Sequence, residues 1–185
     1  ILEKSFGNHL RELLNNQTFI SGIDIFTKNS QIQYDQIENL SLITIGRISE
    51  RKGQNNVIRA LPSIIEKFPN THYHIVGIPD QLDDILLEIR FLSLGDHCTI
   101  HGEMSDKEMF DLLNTMDIFM LLSDQTEDGD FEGFGIAVIE ANLLGLPAIG
   151  SKDSGISDAI VNNRTGFLVN QKNNDQILES ILRII

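Results

Sequence analysis

Two glutamates, Glu132 and Glu140, stand eight positions apart on either side of a glycine-bracketed turn and an apolar run. Gly133 and Gly135 permit a tight backbone just before a helix, where free N–H groups and the positive end of the helix dipole attract an anion. If the whole stretch were helical, the rise between the carboxylates would be about 12 Å. That distance is close to the length of a ribose–diphosphate–sugar group. We therefore predict that one carboxylate binds the ribose hydroxyls, the helix amides bind a phosphate and the other carboxylate binds the sugar hydroxyls.

Each glutamate also has a purely structural interpretation. Glu140 lies in a helix that is apolar nearly all round, which predicts that it is buried and needs hydrogen-bond donors. Ribose hydroxyls would supply those donors, but so would a backbone amide. Glu132 precedes the helix and could simply be a favourable charge near its N-terminus.

Two cations, Arg47 and Lys52, flank a short loop that follows an apolar run rich in β-branched residues. The Arg47 guanidinium can bind a phosphate through two parallel hydrogen bonds, and Lys52 adds a point charge. Together they could neutralise a diphosphate leaving group as its charge develops. The alternative is an ordinary solvated basic loop.

Apolar strands alternate with amphipathic helices from about residue 40 onward, which predicts an α/β fold with a doubly wound, Rossmann-like parallel sheet. The predicted strands are 40–48, 72–76, 98–101, 118–122, 147–149 and 166–169. The predicted helices include 55–67, 82–94 ending at Gly95, one from the Ser105 capping box through Leu113, the Glu140 helix ending at Gly145, a turn near Ser157, and 173–185.

Ligands of such sheets bind beyond the carboxyl ends of the strands. Gly46, Gly77, His101 and the acidic loop after Leu122 all follow predicted strands. We therefore expect these positions to converge with the two cations and the two glutamates at one edge of the sheet.

The composition excludes several classes of function. The 185 residues carry a net charge of −13, which argues against nucleic acid or an anionic lipid surface as a partner. The lone cysteine, Cys98, excludes an internal disulfide and favours a reducing, cytoplasmic compartment. No apolar run is long enough to span a bilayer.

No metal site is predicted. The triplet Asp128-Gly129-Asp130 resembles an Asp-x-Asp motif, but such triplets arise by chance in acidic loops. His72 and His74 share one face of a predicted strand without an evident third ligand.

Residues 1–39 do not follow the strand–helix alternation, so we expect the tail of a preceding domain and a hinge there. Residues 40–185 would then form one domain, which we expect to be truncated at its carboxyl end. The start without methionine also suggests a piece of a longer chain.

Several short segments occur in an order that identifies a family resemblance. They are Ile45-Gly46-Arg47 with Lys52-Gly53, Ile75-Val76-Gly77, Ile100-His101-Gly102, Glu132-Gly133-Phe134-Gly135 through Glu140-Ala141, Gly145-Leu146-Pro147 and Thr165-Gly166-Phe167-Leu168-Val169. As a set they resemble the carboxyl-terminal, donor-binding domain of retaining GT-B glycosyltransferases of the group 1 family. The resemblance covers about residues 40–185.

The resemblance implies a role for each candidate residue. Arg47 and Lys52 would bind the diphosphate of a nucleotide-sugar donor, and Glu140 would bind ribose. Glu132 and the backbone of Gly133, Phe134, Gly135 and Ile136 would hold the sugar and the distal phosphate, and the segment from His101 to Met104 would frame the base. The family needs no essential metal, so neither a metal nor another cofactor is expected.

Some features depart from the family pattern. Ile78 stands where a second glycine is common, and Ser154-Gly155-Ile156-Ser157-Asp158 replaces a more usual Gly-Gly-x-x-Glu. The amino-terminal domain, which recognises the acceptor in such enzymes, is absent, so we expect this fragment to transfer little or no sugar. A sugar-nucleotide epimerase of the same fold and a non-enzymatic regulatory domain remain as alternatives.

Overall fold

The computed structural model describes residues 39–125, 129, 132–133 and 135–185, and its centre is a six-stranded parallel sheet. The strands are β1 (Asn39–Ile45), β2 (Asn70–Val76), β3 (Cys98–Gly102), β4 (Ile118–Leu121), β5 (Ala148–Ser151) and β6 (Gly166–Val169). Their spatial order is β3-β2-β1-β4-β5-β6. The predicted α/β, doubly wound, Rossmann-like class is confirmed.

Within the described residues, five α-helices connect or follow the strands. They are α1 (Gln54–Lys67), α2 (Leu82–Phe91), α3 (Asp106–Leu113), α4 (Ile136–Leu143) and α5 (Asn174–Ile184). The predicted capping box is confirmed at the start of α3, where the Ser105 hydroxyl accepts from the backbone N–H of Glu108. The crossover from β5 to β6 contains only a short 3₁₀ helix, Gly155–Asp158.

Two predicted boundaries were wrong for identifiable reasons. β1 ends at Ile45 rather than Ile48, because Gly46 turns the chain with a φ of 145°. Helix α2 ends at Phe91, and Ser93, with a φ of 57°, takes the left-handed position that was predicted for Gly95.

Helices cover both faces of the sheet and form two apolar cores. On one face α1, α2 and α5 pack against alternate strand residues such as Leu42, Tyr73 and Met120. On the other, α3, α4 and the 3₁₀ helix pack against Ile43, Phe119 and their neighbours. The central strands are buried on both sides, as their continuous apolar sequence predicts.

The chain reverses its direction of winding between β1 and β4, which are neighbours in the sheet. The loops that follow these two adjacent strands run to opposite faces of the sheet. A crevice therefore opens between them, beyond the carboxyl ends of the strands. The predicted tail and hinge at 1–39 lie outside the described residues except for Asn39, which begins β1. Within the described part of the chain, no helix is long and apolar enough to cross a membrane.

Candidate donor-binding site

A cavity of about 250 Å³ occupies the crevice at the carboxyl edge of the sheet. Its lining includes most of the residues that the sequence singled out. These are Ile45, Gly46, Lys52, Val76, Gly77, Gly102, Glu103, Met104, Met109, Glu132, Gly133, Gly135, Ile136, Ala137 and Glu140. The expected convergence of strand ends, cation and carboxylates is therefore present in the structure.

The floor of the cavity is made of backbone at three successive strand ends. The N–H of Gly46 donates to the carbonyl of Val76 at 2.9 Å, and the N–H of Gly77 donates to the carbonyl of Gly102 at 2.9 Å. A Cβ on Gly77 would lie 2.0 Å from the carbonyl oxygen of Gly46. Only glycine allows these strand ends to pack so closely and leave space above them.

Lys52 enters the cavity because its aliphatic stem lies across Gly46. A Cβ on Gly46 would meet the Lys52 Cε at 3.1 Å. Lys52 is almost completely buried, and its ammonium lies 2.9 Å from Oε2 of Glu132. The stem packs on the strand end, so the charged head is held above the floor.

Glu132 binds a second cation that sequence reasoning missed. The Arg51 guanidinium contacts the same oxygen, Oε2, at 2.5 Å. Both cations bind Oε2 and neither binds Oε1, so within the described residues Oε1 remains open to another donor. Two cations therefore lie beside one carboxylate at this end of the cavity.

Helix α4 directs its N-terminus at the same place. Gly135 precedes it in the left-handed conformation, with a φ of 66°, and no side chain caps the helix among the described residues. Its first turn holds no acidic residue, so the positive end of the dipole is not neutralised locally. Ile136, Ala137 and Glu140 on this helix line the cavity.

Glu140 lines the cavity as predicted, but its helix is less buried than its sequence suggested. Val138 and Ala141 are buried, Glu140 is half-buried, and Ile136 is 48% exposed. The apolar face of α4 is wider than its contact with the sheet, since part of it borders the open cavity. Phe134, predicted to help hold the phosphate, lies outside the described residues.

The loop that carries Glu132 and Gly133 rests on Gly155. The N–H of Gly155 donates to the carbonyl of Glu132 at 3.0 Å. A Cβ on Gly155 would lie 1.7 Å from the carbonyl oxygen of Gly133. The 3₁₀ helix after β5 thereby sets the height of the Glu132 loop above the sheet.

Arg47 does not join Lys52 in the cavity. Its guanidinium donates to Asp80 at 2.8 Å, and its side chain is 58% exposed. A contact between Arg47 and a diphosphate stays a prediction, and in this structure Arg51 is the arginine beside Lys52.

His101 is also not among the residues that line the cavity. Its Nε2 lies 2.9 Å from Nδ1 of His74, and the two rings stack at 5.2 Å between centroids. Burial lowers the pKa of both imidazoles, and that of His74 falls to about 4. The neighbouring Gly102, Glu103 and Met104 line the cavity instead, so a base contact by His101 itself stays a prediction.

The structure assembles no metal site from the residues it describes. His101 supplies the third imidazole that His72 and His74 lacked in sequence, yet in this part of the chain no three His, Cys, Asp or Glu side chains are arranged to hold a metal ion. Asp128 and Asp130 lie outside the described residues, so the triplet is untested.

Sequence reasoning missed Arg51 and Gly155. The signal for the first was its position next to Lys52, which places a second cation in the same loop. No sequence signal indicates that Gly155 contacts Gly133, because the two residues meet only through the fold.

The family described as glycosyl transferases group 1 has a model that matches residues 27–185. Among curated relatives, the amylovoran biosynthesis glycosyltransferase AmsK of Erwinia amylovora is 30% identical over 145 residues, which cover 78% of this chain and 36% of that protein. A GDP-mannose-dependent α-(1-6)-phosphatidylinositol monomannoside mannosyltransferase of Mycobacterium tuberculosis is 26% identical over 149 residues, which cover 80% of this chain and 39% of that protein. The chain therefore spans less than two fifths of the length of these relatives.

Solved structures share the fold. HepE of Anabaena, solved with UDP and glucose, superposes with a TM-score of 0.67 at 23% identity over 78% of this chain and 38% of its own. A sucrose-phosphate synthase of Thermosynechococcus elongatus superposes with a TM-score of 0.68 at 23% identity over 83% of this chain and 37% of its own.

Proposed function

This chain belongs to the group 1 glycosyl transferases, and we propose that residues 40–185 bind the donor, a nucleoside-diphosphate sugar, of a retaining hexosyltransferase. One observation carries the proposal. A buried lysine, a carboxylate with an open oxygen, and an uncapped helix N-terminus meet in one cavity at the strand ends. The alternatives of an epimerase and a regulatory domain are not favoured by the relatives, which are named as glycosyltransferases.

The diphosphate would lie between Lys52 and the N-terminus of α4. The N–H groups of the first turn of a helix and a nearby ammonium are the usual partners of a phosphate group. As the bond from the sugar to the diphosphate breaks, negative charge accumulates on the leaving oxygen. Lys52 and the helix dipole are already fixed in position, so they can stabilise this charge without reorganising.

Glu132 and Glu140 would bind the two hydroxyl-bearing parts of the donor. Because both cations hold Oε2 of Glu132, its Oε1 can accept from a sugar hydroxyl. Glu140 lies one turn inside α4, farther from the helix mouth, where ribose would follow the diphosphate. We propose Arg47 as an additional phosphate ligand only if it leaves Asp80.

Protein groups alone would neutralise the negative charge of the donor diphosphate, without an essential metal. We propose that a preceding amino-terminal half supplies the acceptor site. The isolated fragment would therefore bind donor and transfer little or no sugar, and the full-length enzyme would act in the cytoplasm.

Calorimetry with GDP, UDP and ADP against the corresponding monophosphates tests the proposal. We expect at least one diphosphate to bind more tightly than its monophosphate, and EDTA to leave that affinity unchanged. Lys52→Gln should weaken diphosphate binding, whereas Lys67→Gln, a control at the exposed end of α1, should not. Failure of every diphosphate to bind at millimolar concentration would overturn the proposal, and magnesium-dependent binding would overturn its metal-free form.

A further inference from the structure

The cavity has two ends of different chemistry. Lys52 and Glu132 lie at one end, together with the N-terminus of α4. The other end is formed by the segment that follows β3 and by apolar side chains, among them Met104 and Met109. A flexible thioether surface of this kind suits the face of a flat ring.

The geometry of the sheet sets the distance between these ends. β2 lies between β1 and β3, and neighbouring strands are about 4.8 Å apart, so Gly102 lies about 10 Å from Gly46 and the Lys52 stem above it. On the proposed function, a nucleotide with its diphosphate beside Lys52 would therefore reach Gly102 and Met104 with its base.

Glu103 lines this second end and stands directly after the last residue of β3. Four charged side chains line the cavity among the described residues, namely Lys52, Glu103, Glu132 and Glu140. Lys52 and Glu132 form an ion pair with each other. Glu140 lies on α4 and not in the segment that follows β3. The Glu103 carboxylate makes no hydrogen bond or ion pair with another residue in the part of the chain that the structure describes.

An ionised carboxylate only accepts hydrogen bonds, and it accepts two parallel ones best. Guanine presents two adjacent donors, N1–H and the N2 amino group. Uracil presents one N–H between two carbonyl oxygens, and adenine and cytosine each place a ring acceptor beside their amino group. A carboxylate would attract the edge of guanine and repel the acceptors of the other bases.

We infer that Glu103 is a specificity-determining residue that makes the cavity prefer a guanosine diphosphate to a uridine, adenosine or cytidine diphosphate. The inference needs the base to lie at the Gly102–Met104 end, and so rests on the proposed function. It concerns recognition of the base alone.

Competition calorimetry on the 185-residue chain tests it with GDP, UDP, ADP, CDP and IDP. The base of IDP, hypoxanthine, keeps N1–H but lacks the N2 amino group. We expect GDP to bind about tenfold or more tightly than UDP, ADP and CDP, as for a good bidentate base contact, with IDP between. Glu103→Gln should reduce the GDP affinity about tenfold and leave the UDP affinity unchanged or raised, because the repulsion of the uracil carbonyl oxygens is removed.

The matched control is Glu66→Gln, which removes the same charge from the exposed surface of α1 and should change none of these ratios. Thermal melting checks that both variants are folded. Equal binding of GDP and UDP by the parent, or an unchanged GDP-to-UDP ratio in Glu103→Gln, would overturn the inference while leaving diphosphate binding intact. Absence of binding by every diphosphate would instead overturn the proposed function and this inference with it.

Discussion

Replacement of Gly155 by alanine should disturb the cavity although Gly155 is not among the residues that line it. A methyl group at this position would lie 1.7 Å from the carbonyl oxygen of Gly133 and 2.8 Å from that of Glu132. Cβ atoms essentially never approach other heavy atoms below 3.0 Å, so one backbone segment must move by at least about 1.3 Å. Gly155 does not adopt the left-handed conformation, so steric overlap is the dominant perturbation.

Two consequences can be estimated. Overpacking of this kind costs about 1–3 kcal/mol, which for a chain of this length lowers Tm by roughly 2–12 °C. Displacement of the Glu132 loop should also misplace its contact with the ligand. Loss of one hydrogen bond to a charged group corresponds to about 1.5–3 kcal/mol, or roughly a tenfold to hundredfold loss of affinity for a nucleotide sugar.

The assay pairs thermal melting with calorimetry, and Gly95→Ala provides the matched control. Gly95 has no heavy atom within 4 Å of a built Cβ and lies in the 3₁₀ helix that precedes β3, at the opposite end of that strand from the cavity. That variant should melt and bind within experimental error of the parent, because an exposed substitution changes stability by about 0.5 kcal/mol or less. If Gly155→Ala behaves like Gly95→Ala in both measurements, Gly155 does not set the position of the Glu132 loop.

Three further predictions separate the roles of other residues. Glu140→Gln should weaken the binding of a nucleoside diphosphate by about 1.5–3 kcal/mol, whereas Glu132→Gln should weaken nucleotide sugar more than bare diphosphate; identical losses for both ligands in both variants would contradict these assignments. Burial lowers the pKa of His74 to about 4, so the unfolded chain binds more protons between about pH 4 and 6.5 and stability should fall as the pH falls through that range. The half-exposed ring limits the effect to about 1 kcal/mol, and His74→Gln should flatten the pH dependence of the unfolding midpoint. Burial raises the pKa of Cys98 to about 12, so a disulfide reagent at pH 7.5 should react slowly with the native chain and rapidly in denaturant; fast reaction of the native thiol would contradict this.

Much of the fold was predictable because local and global preferences agree. Continuous apolar runs such as Ile118–Leu121 can be satisfied only between two layers of helices, and the regular alternation with amphipathic helices leaves few other topologies. Errors fell where one backbone conformation decides a boundary. Ile48, predicted to end β1, instead makes an isolated bridge with Pro79 after the turn at Gly46.

The candidate site was predictable in its residue types but not in its pairings. Loops after parallel strands must meet at one edge, which brings Lys52, Glu132 and Glu140 together whatever the details. Which arginine faces Glu132 is decided by tertiary contacts: Arg51, in the 3₁₀ helix at Glu50–Lys52, contacts Glu132, whereas Arg47 pairs with Asp80. Asp80, which binds Arg47, is itself supplied by a loop 33 residues away.

The segment after β5 shows why a departure from the family pattern need not disturb the cavity. Ser154 stands where the pattern has its first glycine, and its backbone is extended, with a φ of −148°, which any residue can adopt. Its hydroxyl accepts from the N–H of Ile156 at 3.3 Å and so helps to begin the 3₁₀ helix. Gly155 keeps the second glycine at the point where a side chain would strike Gly133. The glycine that the Glu132 loop requires, Gly155, is thus retained. The glycine of the family pattern that is replaced, at Ser154, occupies a position where a side chain has room.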